Sequence, residues 1–354
     1  MSPPSPRALL AAGGLATVAV GGLALLLGAA RMTQTRPDAP RSDPAQAAAH
    51  PGQWVRLPNG RRLNFRCSGA GAPTVIFEGG FAATSLAWEG IRHALSAEMR
   101  ACAYDRAGYG FSDPGPMPRD GNAVAGDLDQ GLKNAGISGP FILVGHSAGG
   151  LYVRLFADRR RSDVVGMVLV DPSIEFQDQR FAAVFGPGAG SLAGQRDRAE
   201  RCRLAATRGL LPSTDRTLSV CVSPSRSDQP ASVTAARSAE ASRPSTWETQ
   251  ESELDTLWTA TSEAVWEGRS SYGAMPLIVL TADGTYSGVP DRARIAVQTL
   301  WTELHREIAS RSSRGREQSV DHSSHMMMFD RPDAIIKAVR DVARTARRGA
   351  PARP

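Results

Sequence analysis

The sequence predicts an α/β fold, with a mostly parallel sheet, helices on both faces of the sheet and an inserted helical cap. Apolar runs of strand length alternate with helix-like segments, and strand, helix, strand in repetition indicates parallel pairing. Residues 173–273 then separate the fourth apolar run from the fifth. Structureless connections of that length are rare in compact domains, so this stretch predicts a cap or lid.

The predicted strands are short apolar runs that end at turn-forming residues. They are PTVIFEGG (73–80), ACAYD (101–105), FILVGH (141–146), VVGMVLVD (164–171) and PLIVLTAD (276–283). Helix-like patterns of suitable length fill the gaps between the first four runs, at 84–99, 122–136 and 147–159. Helical spacing also predicts a packed face inside the cap, formed by Trp247, Leu254, Trp258, Thr261 and Val265.

The sheet and its helices are predicted in two parts of the chain, residues 53–172 and 274–342, on either side of the cap at 173–273. Residues 1–52 are predicted as a hydrophobic leader or anchor followed by a polar linker. The last stretch, 343–354, is rich in arginine and is predicted as a disordered tail.

The N-terminal segment carries information about location. No charged residue occurs from Ala8 to Ala30, a length that is about what a bilayer span requires. Gly28-Ala29-Ala30 also fits a small-residue cleavage site, so a cleaved leader and a membrane anchor both remain open. Either way the protein is expected to be exported, and it is secreted, periplasmic or held at a membrane through residues 8–30.

Composition limits the class of protein. The chain of 354 residues is 42% hydrophobic, enough to bury a large core, which excludes a disordered protein. The formal net charge of +6 comes from arginine, since Lys133 and Lys337 are the only lysines. No groove-reading motif accompanies the basic residues, so no nucleic-acid partner is expected.

Four cysteines are consistent with export. An even count in an exported chain permits two disulfides. The favoured pairs, out of three ways of pairing, are Cys67 with Cys102 and Cys202 with Cys221. Four buried free thiols are the alternative. The cysteine spacing does not suggest a zinc site.

The stretch FILVGHSAGGLYVRLF, residues 141–156, joins a β-type run to a helical pattern through Gly-His-Ser-Ala-Gly-Gly. A strand that ends in Gly-x-Ser-x-Gly and turns at once into a helix forces Ser147 into a strained conformation at the carboxyl edge of the sheet. Glycines at 145 and 149 remove the Cβ atoms that would clash there. The amide of Ala148 and the helix N-terminus can then receive negative charge, so Ser147 is predicted to be a nucleophile.

Together with GHSAGG, two further stretches resemble the α/β-hydrolase superfamily over residues 53–172 and 274–342. AYDRAGYGFSDPGP (103–116) is similar to the loop before the nucleophile strand, and VIFEGGFAATSLAW (75–88) to the loop after the third strand. The resemblance implies a sheet of the eight-stranded type and a serine hydrolase of the esterase or lipase kind. Asp105 and Arg106 are expected to have structural duties, with Arg106 paired to a buried carboxylate.

The resemblance also implies a second oxyanion donor in the loop after the third strand. Many members carry His-Gly there, whereas this sequence has Glu78-Gly79. Matching the two pairs makes Gly80 the second amide donor beside Ala148, with Phe81 as the donor if the register slips by one.

The same resemblance places the base after the last strand, in DHSSHMMMFDRPDAIIKAVRDV (321–342), where His325 is favoured over His322. The acid is left between two aspartates that end predicted strands. Asp283 follows PLIVLTAD, the usual place, and Asp171 follows the preceding run; Asp171 is favoured by a small margin.

These residues predict a serine hydrolase that cleaves carboxylic esters through an acyl-enzyme intermediate, with a small-molecule ester or amide as substrate. No metal or organic cofactor is expected. Two alternatives remain: an amidase or peptidase of the same fold, and an inactive hydrolase-like binding protein.

Overall fold

A sheet of eight strands forms the centre of the computed structural model, which describes residues 44–222 and 230–349. The strands are β1 (Gln53–Arg56), β2 (Arg62–Ser68), β3 (Thr74–Glu78), β4 (Ala101–Asp105), β5 (Phe141–His146), β6 (Val164–Val170), β7 (Leu277–Ala282) and β8 (Gly315–Val320). Their order in the sheet is β1-β2-β4-β3-β5-β6-β7-β8. Strand β2 is antiparallel to both neighbours, and the pairs from β4 to β8 are parallel. The predicted fold class is confirmed.

The helices cover both faces of the sheet and form the cap. They are α1 (Pro44–Ala49), α2 (Glu89–Leu95), α3 (Gly121–Asn134), α4 (Gly149–Arg159), α5 (Gln177–Phe185), α6 (Ala193–Thr207), α7 (Ala231–Ala241), α8 (Pro244–Leu257), α9 (Ala260–Glu267), α10 (Asp291–Ser310), α11 (Met327–Asp330) and α12 (Pro332–Gly349). Helices α3, α4 and α10 share one hydrophobic core with the sheet, and α2 and α12 share the core on the other face.

The central strands are apolar along their whole length because both of their faces are covered. Every residue of β3, β4, β5 and β7 is buried. A strand buried on both sides gains from apolar residues at every position, which is why these segments read as continuous runs and not as alternating patterns. The runs predicted from the sequence agree with the observed strands to within two residues at each end.

The stretch predicted as a cap contains helices α5 to α9 and a short 3₁₀ turn, Ser219–Cys221. Part of it has its own small hydrophobic core, in which Trp247, Leu254 and Cys202 are buried. Hydrogen bonds attach the cap to the sheet's loops: the Thr246 hydroxyl donates to the Gly108 carbonyl at 3.1 Å, and the Thr261 hydroxyl accepts from the Gly121 amide at 2.9 Å. Trp247 and Trp258 are buried as predicted, Trp247 in this small core and Trp258 in the core shared by α3, α4 and α10, whereas Trp266 is 61% exposed.

Two boundaries predicted from the sequence are wrong. Residues 343–349 were predicted in the disordered tail, but α12 continues through them because Val342 and Ala343 remain buried against the sheet. Part of the predicted linker forms α1, which contacts α7 of the cap. The Arg66 side chain on β2 also donates hydrogen bonds to the carbonyls of Ala47 and His50, so this part of the chain is attached to the sheet and to the cap.

The hydrophobic segment at 8–30 and the chain end at 350–354 lie outside the described residues. Within the described part of the chain, none of the helices combines the length and the apolar character needed to cross a membrane.

Two disulfides are present, and both pairings predicted from the sequence are confirmed. Cys67 and Cys102 face each other across the antiparallel pair of β2 and β4 and are bonded. Cys202 on α6 is bonded to Cys221 in the 3₁₀ turn, which closes part of the cap.

Replacing both cysteines of one disulfide by alanine should lower the free energy of unfolding. The Cys67–Cys102 bond joins residues 35 apart and the Cys202–Cys221 bond joins residues 19 apart. Loop entropy alone predicts losses of about 4 and about 3 kcal/mol respectively. Urea unfolding of the two double variants measures both losses; unchanged unfolding in either variant would contradict the expected contribution of that bond.

The cap should become less stable as pH rises through neutrality. Burial raises the pKa of Glu240 on α7 to about 7, although its carboxylate accepts a hydrogen bond from the Gly110 amide at 2.7 Å. Because the folded-state pKa lies above the ordinary value of 4.5, this stabilising contribution is complete below about pH 4.5 and is lost as pH rises through 7. Glutamine does not titrate at this position. The unfolding free energy of Glu240→Gln should therefore lack the decrease between pH 5 and pH 8 that the ionisation of Glu240 causes in the parent.

The matched control is Glu248→Gln, at an exposed position on α8. It should keep the pH dependence of the parent. Equal pH dependence in Glu240→Gln and the parent would show that Glu240 does not couple to folding.

Candidate active site

The turn between β5 and α4 carries Ser147 in a strained conformation. Its φ is 51°, in the left-handed region that non-glycine residues rarely adopt. The Ser147 amide donates to the carbonyl of Val170 at 3.2 Å, and the Ser147 carbonyl accepts from the amides of Gly150 and Ser173. These bonds hold the turn at the carboxyl edge of the sheet, where the serine side chain stays partly exposed.

Two glycines permit this turn because other backbone passes very close to them. A Cβ at Gly145 would lie 2.6 Å from the Gly149 carbonyl oxygen, and a Cβ at Gly149 would lie 2.6 Å from the Gly79 carbonyl oxygen. Both distances are shorter than any side chain allows, so Gly-x-Ser-x-Gly is required here by packing.

The loop after β3 runs directly beside the serine. A Cβ built on Gly80 would lie 3.0 Å from the Cβ of Ser147, which places the Gly80 backbone in contact with the turn. Ala148 begins the first turn of α4. Among the described residues, no hydrogen bond uses the amides of Gly80, Phe81 or Ala148. Amides beside a helix N-terminus suit a developing negative charge.

His325 contacts Asp171 and does not contact Asp283. The imidazole Nδ1 lies 2.6 Å from Asp171 Oδ2. Asp171 follows β6 immediately and is fully buried, whereas 38% of the His325 side chain is exposed. An ionised carboxylate can only accept, so Nδ1 carries the proton and the lone pair remains on Nε2.

Asp171 receives four hydrogen bonds from three parts of the chain: the end of β7 and the turn after it, helix α10, and the loop that carries His325. Oδ1 accepts from the Ala282 amide at 3.1 Å and from Trp301 Nε1 at 2.8 Å. Oδ2 accepts from the Thr285 hydroxyl at 2.5 Å in addition to His325. Burial acts to raise the pKa of Asp171, but these bonds and the nearby imidazoles outweigh it, so its pKa lies below the usual value.

Asp283 has a different partner set. Its two carboxylate oxygens accept from the amides of His322 at 2.9 Å and Ser323 at 3.0 Å. His322 is exposed with a φ of 57°, so Asp283 shapes the tight turn that leads to His325. The structure therefore brings Asp171, and not Asp283, to the imidazole.

His146 links the serine turn to the histidine loop. It precedes Ser147 in the chain, its ring centroid is 4.7 Å from that of His325, and its Nε2 donates to the His325 carbonyl at 2.8 Å. Burial, with a smaller contribution from His325, lowers the pKa of His146 to about 3, so this ring is neutral. It supports the His325 backbone.

Sequence patterns did not identify three residues close to this site. Trp301 lies in α10 and donates to Asp171, the Thr285 hydroxyl follows β7, and Glu253 of the cap contacts Arg106 behind the loop after β3. An indole and a hydroxyl within helical or turn patterns have no local signature of such a role. No cluster of side chains suited to a metal ion occurs in the described ranges.

Known proteins resemble this chain in sequence and in fold. The sequence model that describes the alpha/beta hydrolase family matches residues 75–338 of this chain. A thermophilic esterase from Thermogutta terrifontis, solved with malate bound, superposes with a TM-score of 0.56 at 19% identity, over 83% of this chain and 99% of that chain.

Curated relatives match over shorter stretches. The probable transporter efuK of Hormonema carpetanum is 39% identical over 123 residues, which are 32% of this chain and 18% of that protein. An AB hydrolase superfamily protein of Gibberella zeae is 35% identical over 107 residues, which are 29% of this chain and 33% of that protein. The chain spans less than half the length of these relatives. Since the family match covers most of the 354 residues, the resemblance is confirmed and the protein belongs to the alpha/beta hydrolase family.

Proposed function

We propose that the protein is a serine hydrolase that cleaves carboxylic esters, with Ser147 as nucleophile, His325 as base and Asp171 as orienting acid. The observation that carries this proposal is the 2.6 Å contact between His325 Nδ1 and Asp171, at the same sheet edge as the strained serine turn. A buried carboxylate that holds one ring nitrogen leaves the other free to accept a proton.

The reaction would proceed by acyl transfer. Ser147 Oγ attacks the carbonyl carbon of the ester while His325 Nε2 accepts the hydroxyl proton. The carbonyl π electrons move to oxygen, and the resulting oxyanion is held by the amide of Ala148 and by that of Gly80 or Phe81. The oxyanion electrons then re-form the C=O bond, the C–O bond to the leaving alkoxide breaks, and the alkoxide takes the proton from His325 to leave as an alcohol. Water attacks the acyl-enzyme by the same steps, with Ser147 as the leaving group, and the carboxylic acid is released.

The environment of Asp171 supports its role as the acid. With four hydrogen bonds to its oxygens, the carboxylate stays ionised although it is fully buried, and an ionised acid stabilises the imidazolium that forms during attack. We assign Asp283 to the turn before His325, since both of its oxygens are engaged by backbone amides.

An ester is proposed ahead of an amide on chemical grounds. An alkoxide leaving group demands less of the general acid than an amine does, and His325 is partly exposed. Turnover of aminoacyl amides without turnover of short esters would instead favour the amidase or peptidase alternative.

We also propose that the protein is exported, with residues 8–30 as a leader or as a membrane anchor. The two disulfides support export because such bonds persist in oxidising compartments and are rare in the cytosol.

Loss of the nucleophile should abolish ester hydrolysis. With p-nitrophenyl esters of graded chain length, Ser147→Ala should lower kcat by a factor on the order of 10⁶, because no acyl-enzyme can form. A fluorophosphonate probe should label the parent and not this variant. Equal rates in parent and variant would remove the enzyme hypothesis and leave a binding protein.

Two matched pairs of variants should separate the acid and the base from their neighbours. Asp171→Asn should lower kcat on the order of 10⁴-fold, because an amide does not stabilise the imidazolium or keep the proton on Nδ1. Asp283→Asn should keep most of the activity, with a loss of about 1 kcal/mol in unfolding free energy from the weakened turn.

For the base, His325→Ala should be inactive and His322→Ala active in the same assay. A full-rate Asp171→Asn enzyme would refute the assignment of the acid, whatever the outcome for Ser147.

A further inference from the structure

Arg106 lies directly behind the loop that passes Ser147. Its guanidinium donates to the Gly79 carbonyl from Nη1 at 2.8 Å and to the Gly80 carbonyl from Nη2 at 2.9 Å. The side chain is 2% exposed, so these bonds are made out of contact with solvent. One rigid, planar group therefore holds two successive peptide units of this loop.

Holding a carbonyl also fixes the direction of an amide. In a trans peptide the C=O and the N–H of the same unit point in opposite directions within one plane. The unit that contains the Gly79 carbonyl contains the Gly80 amide, and the unit that contains the Gly80 carbonyl contains the Phe81 amide. Arg106 thus orients both amides that are candidates for the second oxyanion donor, from the side opposite to the direction in which the two N–H groups point.

Arg106 is itself held by two carboxylates. Nη1 donates to Glu78 Oε1 at 2.9 Å, while Nε and Nη2 donate to the two oxygens of Glu253 at 2.9 and 3.1 Å. With the two loop carbonyls, these contacts use all five N–H donors of the guanidinium. The rings of Tyr109 and Tyr152 lie 4.9 and 5.3 Å from its central carbon. The guanidinium has no free donor with which to adopt another orientation.

Glu253 belongs to the cap. It lies on α8, it is 1% exposed, and it reaches Arg106 across 147 positions of sequence. Separating the cap from the sheet would break a fork of two charge-assisted bonds and leave charge buried without its partner, which is strongly unfavourable. The position of the cap and the orientation of the Gly80 and Phe81 amides are therefore coupled through one side chain.

We propose that Arg106 is a positioning residue for the oxyanion hole, and that Glu253 makes the cap a part of that hole by holding Arg106 in place. The inference rests on the proposed function, since it concerns the oxyanion formed when Ser147 attacks. A purely structural role predicts that loss of Arg106 lowers only the stability of the fold. The proposed role predicts in addition a loss of oxyanion stabilisation that an equally buried ion pair elsewhere in the protein does not cause.

A second buried ion pair in the same protein supplies the control. Arg154 on α4 forms two bonds with Glu175, at 2.7 and 3.0 Å, and both side chains are 2% exposed. This pair matches Arg106–Glu253 in chemistry and burial. Arg154 has no hydrogen bond to the loop at 79–81.

The test compares Arg106→Lys and Glu253→Gln with Arg154→Lys and Glu175→Gln in the full-length chain. The measurements are the melting temperature, kcat and KM for a p-nitrophenyl ester, and the Ki of a trifluoromethyl ketone, which adds to the serine and forms a tetrahedral oxyanion. Lysine keeps the charge of Arg106 but cannot hold both carbonyls and both carboxylates at once.

Arg106→Lys should lower kcat on the order of 10²-fold with little change in KM, because a misplaced donor affects the transition state and not the bound ester. The Ki of the ketone should rise by a similar factor, and Glu253→Gln should shift both values in the same direction by a smaller factor. The two control variants should lower the melting temperature while kcat and Ki stay at the parent values.

Parent values of kcat and Ki in folded Arg106→Lys, or equal losses in Arg106→Lys and Arg154→Lys, would overturn the inference. If Arg106→Lys does not fold, Glu253→Gln against Glu175→Gln decides by the same criterion. Activity that is independent of Ser147 would refute the proposed function, and this inference with it, whereas Ser147-dependent activity with no effect at Arg106 would refute the inference alone.

Discussion

The turn between β5 and α4 is the constraint on which the rest of the site depends. A residue other than glycine in the left-handed region costs about 1–3 kcal/mol, and Ser147 remains there because its backbone is tied to the end of β6 and to the segment that follows. Gly149 lets the first turn of α4 pass against the carbonyls that end β3. One corner thus fixes three neighbouring strand ends relative to each other, and each of those ends contributes to the site.

Buried charge at this edge is supported by an unusually complete set of partners. Asp171 and Arg106 are both buried, and desolvation alone would disfavour an ionised group in either position. Asp171 has four donors, and Arg106 has two carboxylates and two carbonyls as acceptors. Such networks stabilise one geometry over its alternatives, since displacing any member leaves another buried group unsatisfied. Rigidity of the site follows from these networks.

The cap packs closely on the loop after β4. A Cβ at Gly108, where φ is +88°, would lie 2.0 Å from the Thr249 hydroxyl oxygen, and the Arg119 amide donates to the Ser252 hydroxyl at 2.8 Å. Local pattern predicted that a cap exists, because a long insertion between strands must fold. It could not predict these contacts, since a glycine in a turn and a threonine on a helix are each ordinary in their own segment.

The sequence by itself determined five central strands in chain order and the serine corner, because each depends on residues close together in sequence. The family resemblance pointed to His325, and the sequence favoured the two observed disulfide pairs over the other pairings. It did not find β8, Gly315–Val320, whose polar residues reflect an edge strand that is half exposed. Only the tertiary structure separated Asp171 from Asp283. Both end neighbouring parallel strands, and what distinguishes them is the set of donors that reaches each one: Trp301 and Thr285 converge on Asp171 from more than a hundred residues away, while the backbone at 322–323 occupies Asp283. A one-dimensional pattern does not encode which distant groups meet at a strand end, because that depends on how the strands are packed.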